Sequence, residues 1–331
     1  MTTTKNRQLT LLSPAEQDAL YGLADFDDGQ RLEYLALTEA QLALACGRSE
    51  LHNQIWSVLQ IGYFQAKRTF FRFSWDDVAD DLAFVLSRYF PGQTFEPHVV
   101  TKHEHYAQRA LIAQLFAYRL WSSEFLDHLV QQATQIARRD VTPSFIVAEL
   151  ITYLNEYKVE RPGYTTLQTV ISQALLSERA RLAQLLSAAL DKTTTASLAE
   201  LLVRDDTLSE LAALKQDARD FGWRQMARER DKRTRLAALY RAAKDLLPKL
   251  EISQQNLHHY ASLANFYTVF DLRRMKPEQT NLYLLCYVWQ RYRQFTDNLV
   301  DAVGYHAKQV EDKSKELAGL NRPGFPGDSL G

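Results

Sequence analysis

Residues 260–318 read YASLANFYTVFDLRRMKPEQTNLYLLCYVWQRYRQFTDNLVDAVGYHAKQVEDKSKELA, helix-forming sequence on both sides of one proline. Pro277 stops one helix and opens the next, where its missing amide hydrogen costs nothing. From there to Ala318 no further proline occurs, and Gly304 is the one glycine. Leu282, Leu285, Trp289, Tyr292, Leu299, Val303, His306 and Val310 recur at steps of three and four. Such spacing predicts one apolar stripe along a helix of roughly 40 residues and ~60 Å. Tyr283, Leu284 and Tyr287 lie off that stripe, and a helix apolar nearly all round is buried by neighbours. The other helices are therefore expected to pack around this one.

Composition fits that reading. The chain has 331 residues, 46% hydrophobic and 24% charged, enough for two or three ordinary globular modules. Its two cysteines, Cys46 and Cys286, both fall in helical apolar patterns and read as buried thiols of a reducing compartment. The N-terminus lacks an apolar stretch of signal-peptide length, and no segment is apolar enough to span a bilayer. These features point to a cytoplasmic protein with no membrane association.

The net charge of −1 is not the basic excess of a typical DNA-binding domain, but the charge is segregated. Residues 219–244 hold nine Lys or Arg against three acids, whereas residues 191–218 hold three against six. On a helix over 222–246, Arg224, Arg228 and Arg235 share a face with Lys232 nearby, while Leu236, Leu239 and Tyr240 point inward. Arg233 and Arg241 belong to the same run. A face of this kind can track a DNA backbone; equally, it can be a solvated helix between modules.

Punctuation in the N-terminal half is equally helical. Ser13-Pro14-Ala15-Glu16, Thr38-Glu39-Ala40-Gln41 and Thr101-Lys102-His103-Glu104 are capping boxes. The second opens a short helix that Gly47 ends, and the apolar-periodic run from Leu51 follows. Two helices joined by a tight turn have the outline of a helix-turn-helix. In YFQAKRTFFRF (63–73), Lys67, Arg68 and Arg72 alternate with aromatics, a composition that seats phosphates and stacks on bases, or else a buried aromatic connector with charged ends. Asp76, Asp77, Asp80 and Asp81 crowd a helix start, where acids complement the helix dipole and stay solvated. Lys102, His105 and Arg109 lie within two turns and form a second phosphate-binding candidate. The helix they open is expected to run to about Leu120, with others at about 123–138, 143–157 and 164–190. Lys192–Ser197, KTTTAS, is the best linker candidate.

The ordered phrases ERPGYTTLQTVISQAL at 160–175 and YASL…FYT…LRRMKPEQTNLYLLCYVWQRYRQ…DNLVDA…YH at 260–306 resemble the replicative transposases of the Tn-three family, large bacterial enzymes that bind the inverted repeats at transposon ends and cut and join DNA. The resemblance covers roughly residues 10–318, and the order of residues at 101–109 is similar to the family's first DNA-binding region. With the helical periodicity throughout and the linker at 192–197, it gives an all-α protein with a DNA-binding region at 1–190 and a helical scaffold at 191–318. From Asn321 periodicity and resemblance are lost together, and 319–331 reads as a disordered tail. The resemblance further implies a double-stranded DNA partner, binding at the terminal inverted repeats, and residence at the nucleoid. Lys67, Arg68, Arg72, Lys102, His105, Arg109, Arg224, Arg228, Lys232, Arg233, Arg235 and Arg241 are the candidate DNA contacts. The family's Asp-Asp-Glu set, in a ribonuclease-H-like domain that holds Mg²⁺, lies C-terminal to everything matched. No catalytic residue, metal site or cofactor is therefore expected in this chain, which is not an enzyme by itself. The alternative is a helical interaction or regulatory module that pairs with itself or with a full-length transposase without reading DNA.

Overall fold

The computed structural model describes residues 9–203 and 209–320. Among these the fold is all-α, with fifteen α-helices and no strand. An isolated bridge joins Arg119 to Val159. The chain divides into two compact units, Met1–Ser177 and Glu178–Gly331.

The first unit holds α1 (Pro14–Tyr21), α2 (Asp28–Tyr34), α3 (Glu39–Cys46), α4 (Leu51–Lys67), α5 (Ala79–Tyr89), α6 (Lys102–Leu115), α7 (Leu126–Arg139), α8 (Pro143–Glu156) and the start of α9 (Tyr164–Ala189). The capping boxes at Ser13, Thr38 and Thr101 all form, each pairing a hydroxyl with the third helical amide. α6 stops at Leu115, earlier than its periodicity suggests, because Ala117 takes a left-handed backbone with φ of 57°.

At the centre of this unit is α4, in which every residue from Ile55 to Phe64 is buried. That overturns the helix-turn-helix reading of α3 and α4, since a reading helix must keep a polar face for base edges. Two polar side chains of α4 are spent internally instead. Gln60 donates to the Phe71 carbonyl at 2.5 Å and Asn53 to Glu104 at 2.6 Å. Gly62 is required by the close approach of α2, since a Cβ there would lie 2.3 Å from Leu35 Cδ2. The aromatics of 63–73 line this core rather than a base-stacking platform. Phe73 stacks on Trp56 at 3.9 Å and Phe70 on Phe64 at 4.7 Å. Of the four acids at 76–81, Asp81 is buried, not solvated: it accepts from Arg31 at 2.8 Å and from the Tyr63 hydroxyl at 2.6 Å.

The second unit takes the end of α9, then α10 (Lys192–Glu200), α11 (Glu210–Leu214), α12 (Trp223–Leu246), α13 (Gln254–Phe266), α14 (Val269–Arg274) and α15 (Pro277–Leu320). The expected linker at 192–197 is the first part of α10, because Asp191 accepts from the Thr194 amide at 2.6 Å and caps a helix there. Pro277 opens α15 as its position predicts, and α12 and α13 flank the helix. Leu282 through Val288 are all buried. Tyr240 of α12 stacks on Tyr292 at 3.9 Å, and Tyr260 of α13 faces Tyr283 at 5.8 Å. Buried Arg291 donates to the Leu214 carbonyl at 2.9 Å and pairs with Asp217 at 2.6 Å, fixing the segment after α11. The burial expected along the whole stripe ends at Ala302, and Val303 and Val310 are exposed. The tail expected from 319 lies, after Leu320, outside the described residues.

Candidate nucleic-acid interface

α12 places the basic run. Leu236, Leu239, Ala243 and Leu246 are buried, so the helix has a fixed inner side. Arg224, Arg228, Arg235 and Arg241 are exposed. Arg224, Arg228 and Arg235 fall within about 40° of one another at 100° per residue. Arg235 pairs with Glu210 at 3.1 Å and Arg241 reaches back to the Ala237 carbonyl at 3.3 Å. Asp231, in the same row, is held by Arg230 at 3.1 Å. An exposed pair of this kind exchanges readily for a phosphate, because it contributes little by itself.

Lys232 and Arg233 leave that row for the interior. The Lys232 ammonium donates to the Gln216 carbonyl at 2.6 Å and to Glu229 at 3.0 Å. Glu229 is buried and needs this partner. Arg233 donates to the Thr296 hydroxyl at 2.9 Å and lies over the Tyr292 ring. Both are scaffold residues that sequence spacing placed among the DNA contacts.

A similar division runs through the first unit. Arg72 and Lys102 are exposed. Lys67 donates to the Ala19 carbonyl, and burial lowers its pKa below the usual lysine value, with Arg161 adding to the effect. Arg68 caps α4 in a left-handed conformation and lies over Tyr118. Arg109 grips Glu160 with one guanidinium nitrogen, at 2.7 and 2.9 Å to the two oxygens. His105 is buried, and desolvation, with Arg109 and Arg72 nearby, lowers its pKa to about 4. It is neutral at physiological pH and offers no positive charge to a phosphate.

One pair of helices keeps the exposed face that α4 lacks. α7 and α8 are joined by three residues, Asp140, Val141 and Thr142, with Val141 buried. Ile146, Val147, Leu150 and Leu154 seat α8 inward. Its outward face carries Ser144, Ala148, Thr152 and Asn155, all exposed, small and without charge. The signal for it was present in the sequence, as small uncharged residues at steps of three and four opposite the apolar stripe.

Among the described residues no cluster of three or more His, Cys, Asp or Glu is arranged to hold a metal ion. Nor is any described helix long and apolar enough to cross a membrane. No curated protein matches the chain. Residues 11–174, which span the first unit from the segment before α1 into α9, match a family described as "Domain of unknown function (DUF4158)".

Proposed function

We propose that this chain binds double-stranded DNA at the terminal inverted repeats of a transposon, as the end-recognition part of a Tn-three-type transposase, without supplying the cutting and joining chemistry. The observation that carries the reading is the exposed row Arg224, Arg228 and Arg235 on α12, about 16 Å long at 1.5 Å per residue. A duplex presents one phosphate charge per ~1.7 Å of axis, so several lie within reach of such a row. The ordered resemblance at 160–175 and 260–306 supports the same reading. In the first unit the phosphate contacts reduce to Arg72 and Lys102. Base reading falls to α8, whose small side chains let a backbone enter the major groove and whose Asn, Ser and Thr match base-edge donors and acceptors.

The test is fluorescence anisotropy with two duplexes, the inverted repeat flanking the gene and a scrambled control, over a salt series. Arg224→Ala with Arg228→Ala is expected to weaken binding to both duplexes and to flatten the salt slope by about 0.9 per lost phosphate contact. Thr152→Ala with Asn155→Ala is expected to weaken binding to the repeat alone. Equal binding of the two duplexes at every salt concentration, or none, overturns end recognition. A second reading, a helical interaction module, is favoured by the exposed apolar surface between α12 and α15.

A further inference from the structure

Beyond Ala302 the apolar stripe of α15 continues without a cover. Trp223 is 76% exposed, Val303 71%, Val310 68% and Val300 64%. Between the start of α12 and this part of α15 runs a cleft of about 790 Å³, lined by Trp223, Met226, Ala302, Val303, Ala307 and Val310. The Trp223 ring is not loose: it stacks on His306 at 4.7 Å, and His306 Nε2 is 2.8 Å from the Phe221 carbonyl oxygen. A contiguous apolar surface with its aromatic already held in place is the mark of an interaction site.

The surface selects its occupant. A membrane is disfavoured, because residues 308–316 carry three lysines (Lys308, Lys313, Lys315) against three acids (Glu311, Asp312, Glu316) and lack the basic excess of an interfacial helix. The same balance suits an identical helix. Val303, Val310 and Leu317 repeat every seven residues, the period of a helix seam. At about 100° per residue, Glu311 falls on one flank of this seam and Lys313 on the other. In a parallel pair related by a two-fold along the helix, unlike flanks meet, so Glu311 of each copy faces Lys313 of the other. Antiparallel pairing brings like flanks together instead. Val300 and Ala307 lie on the Glu311 flank, opposite the side that α12 covers. A Cβ at Gly304, on that same flank, meets nothing within 4 Å. A mid-helix glycine costs about 1 kcal/mol relative to alanine, and nothing described in the chain requires this one.

We propose that two copies of this chain pair in parallel through the second half of α15, the Val300–Ala307 edge of each copy closing the cleft beside Trp223 of the other. The arrangement is two-fold and self-complementary, so it stops at a dimer. It needs no DNA and is tested without it.

Sedimentation equilibrium of the full chain up to about 50 µM is expected to show mass rising with concentration toward twice the 38.1 kDa of one chain. Val303→Glu with Val310→Glu changes residues exposed in the single chain, so helical circular dichroism and the melting of the dilute, unpaired chain are expected to stay unchanged while association weakens by at least roughly tenfold. Glu311→Lys or Lys313→Glu alone is expected to weaken pairing, and the two together to restore it. A chain that stays monomeric over this range, or a dimer indifferent to the double glutamate variant, overturns the proposal. Single charge changes that strengthen association overturn the parallel arrangement.

Discussion

At the scale of single residues, tertiary partners decide what a charge can do. Arg109 and Glu160 are 51 positions apart, and Arg31 reaches Asp81 across 50, distances at which spacing carries no information. Sequence placed Arg109 beside Lys102 as a phosphate contact, and local geometry supports that as far as it goes. What spacing cannot show is the carboxylate arriving from another helix. Capping residues behave oppositely, because donor and acceptor lie three positions apart, so Ser13, Thr38 and Thr101 were all legible. His105 supplies an expectation at this scale. Its folded pKa, lowered to about 4, lies below the ordinary histidine value of about 6.5. The unfolded chain therefore binds the proton first, and stability is expected to fall as pH drops from about 6.5 toward 4, by up to about 3 kcal/mol. Urea unfolding at pH 7 and pH 4.5 checks this, and His105→Gln is expected to lose that part of the pH dependence.

At the scale of elements, α10 and α4 show where periodicity misleads. Lys192–Ser197 is rich in threonine and short of apolar residues, so composition reads it as a connector. One side-chain bond from Asp191 and the burial of Thr194 and Leu198 convert it to helix. Asp191→Ala is expected to cost about 1 kcal/mol, measured by denaturant titration, with loss of helical signal confined to this segment. α4 misleads in the other direction. Asn53, Ser57 and Gln60 give it apparently polar positions, but all three are buried, and Asn53 and Gln60 bond to segments at 104–108 and 71. α15 was legible in start, length and first-half burial, because a proline, a long unbroken period and an all-round apolar composition are local signals. The exposure of its second half was not, since the pattern of an uncovered stripe is identical to that of a covered one.

At the scale of the whole molecule, two units each carry their own core, and the boundary falls at 177–178, inside α9. Sequence put it at 190–191, where composition changes. A boundary within a continuous helix has no compositional mark, because the alanines and leucines of α9 suit both units equally. The all-α class was legible throughout, since every periodic segment reads near 3.6 and none near 2.

The two thiols differ in a way that turns the molecule into its own reporter. Cys46, at the end of α3, is exposed rather than buried as its apolar pattern suggests, whereas Cys286 is buried in α15, where desolvation raises its pKa far above the usual thiol range. A colorimetric disulfide reagent is therefore expected to consume one equivalent at once and the second only as the second unit opens. The rate of that slow phase against denaturant measures the opening free energy around α15 inside the intact chain, with no fragment to prepare and no dye to introduce. A burst of two equivalents from the native protein would refute the burial of Cys286. The same slow phase, followed as protein concentration rises, gives a clock for how strongly pairing of two chains locks the helix that carries the sulfur.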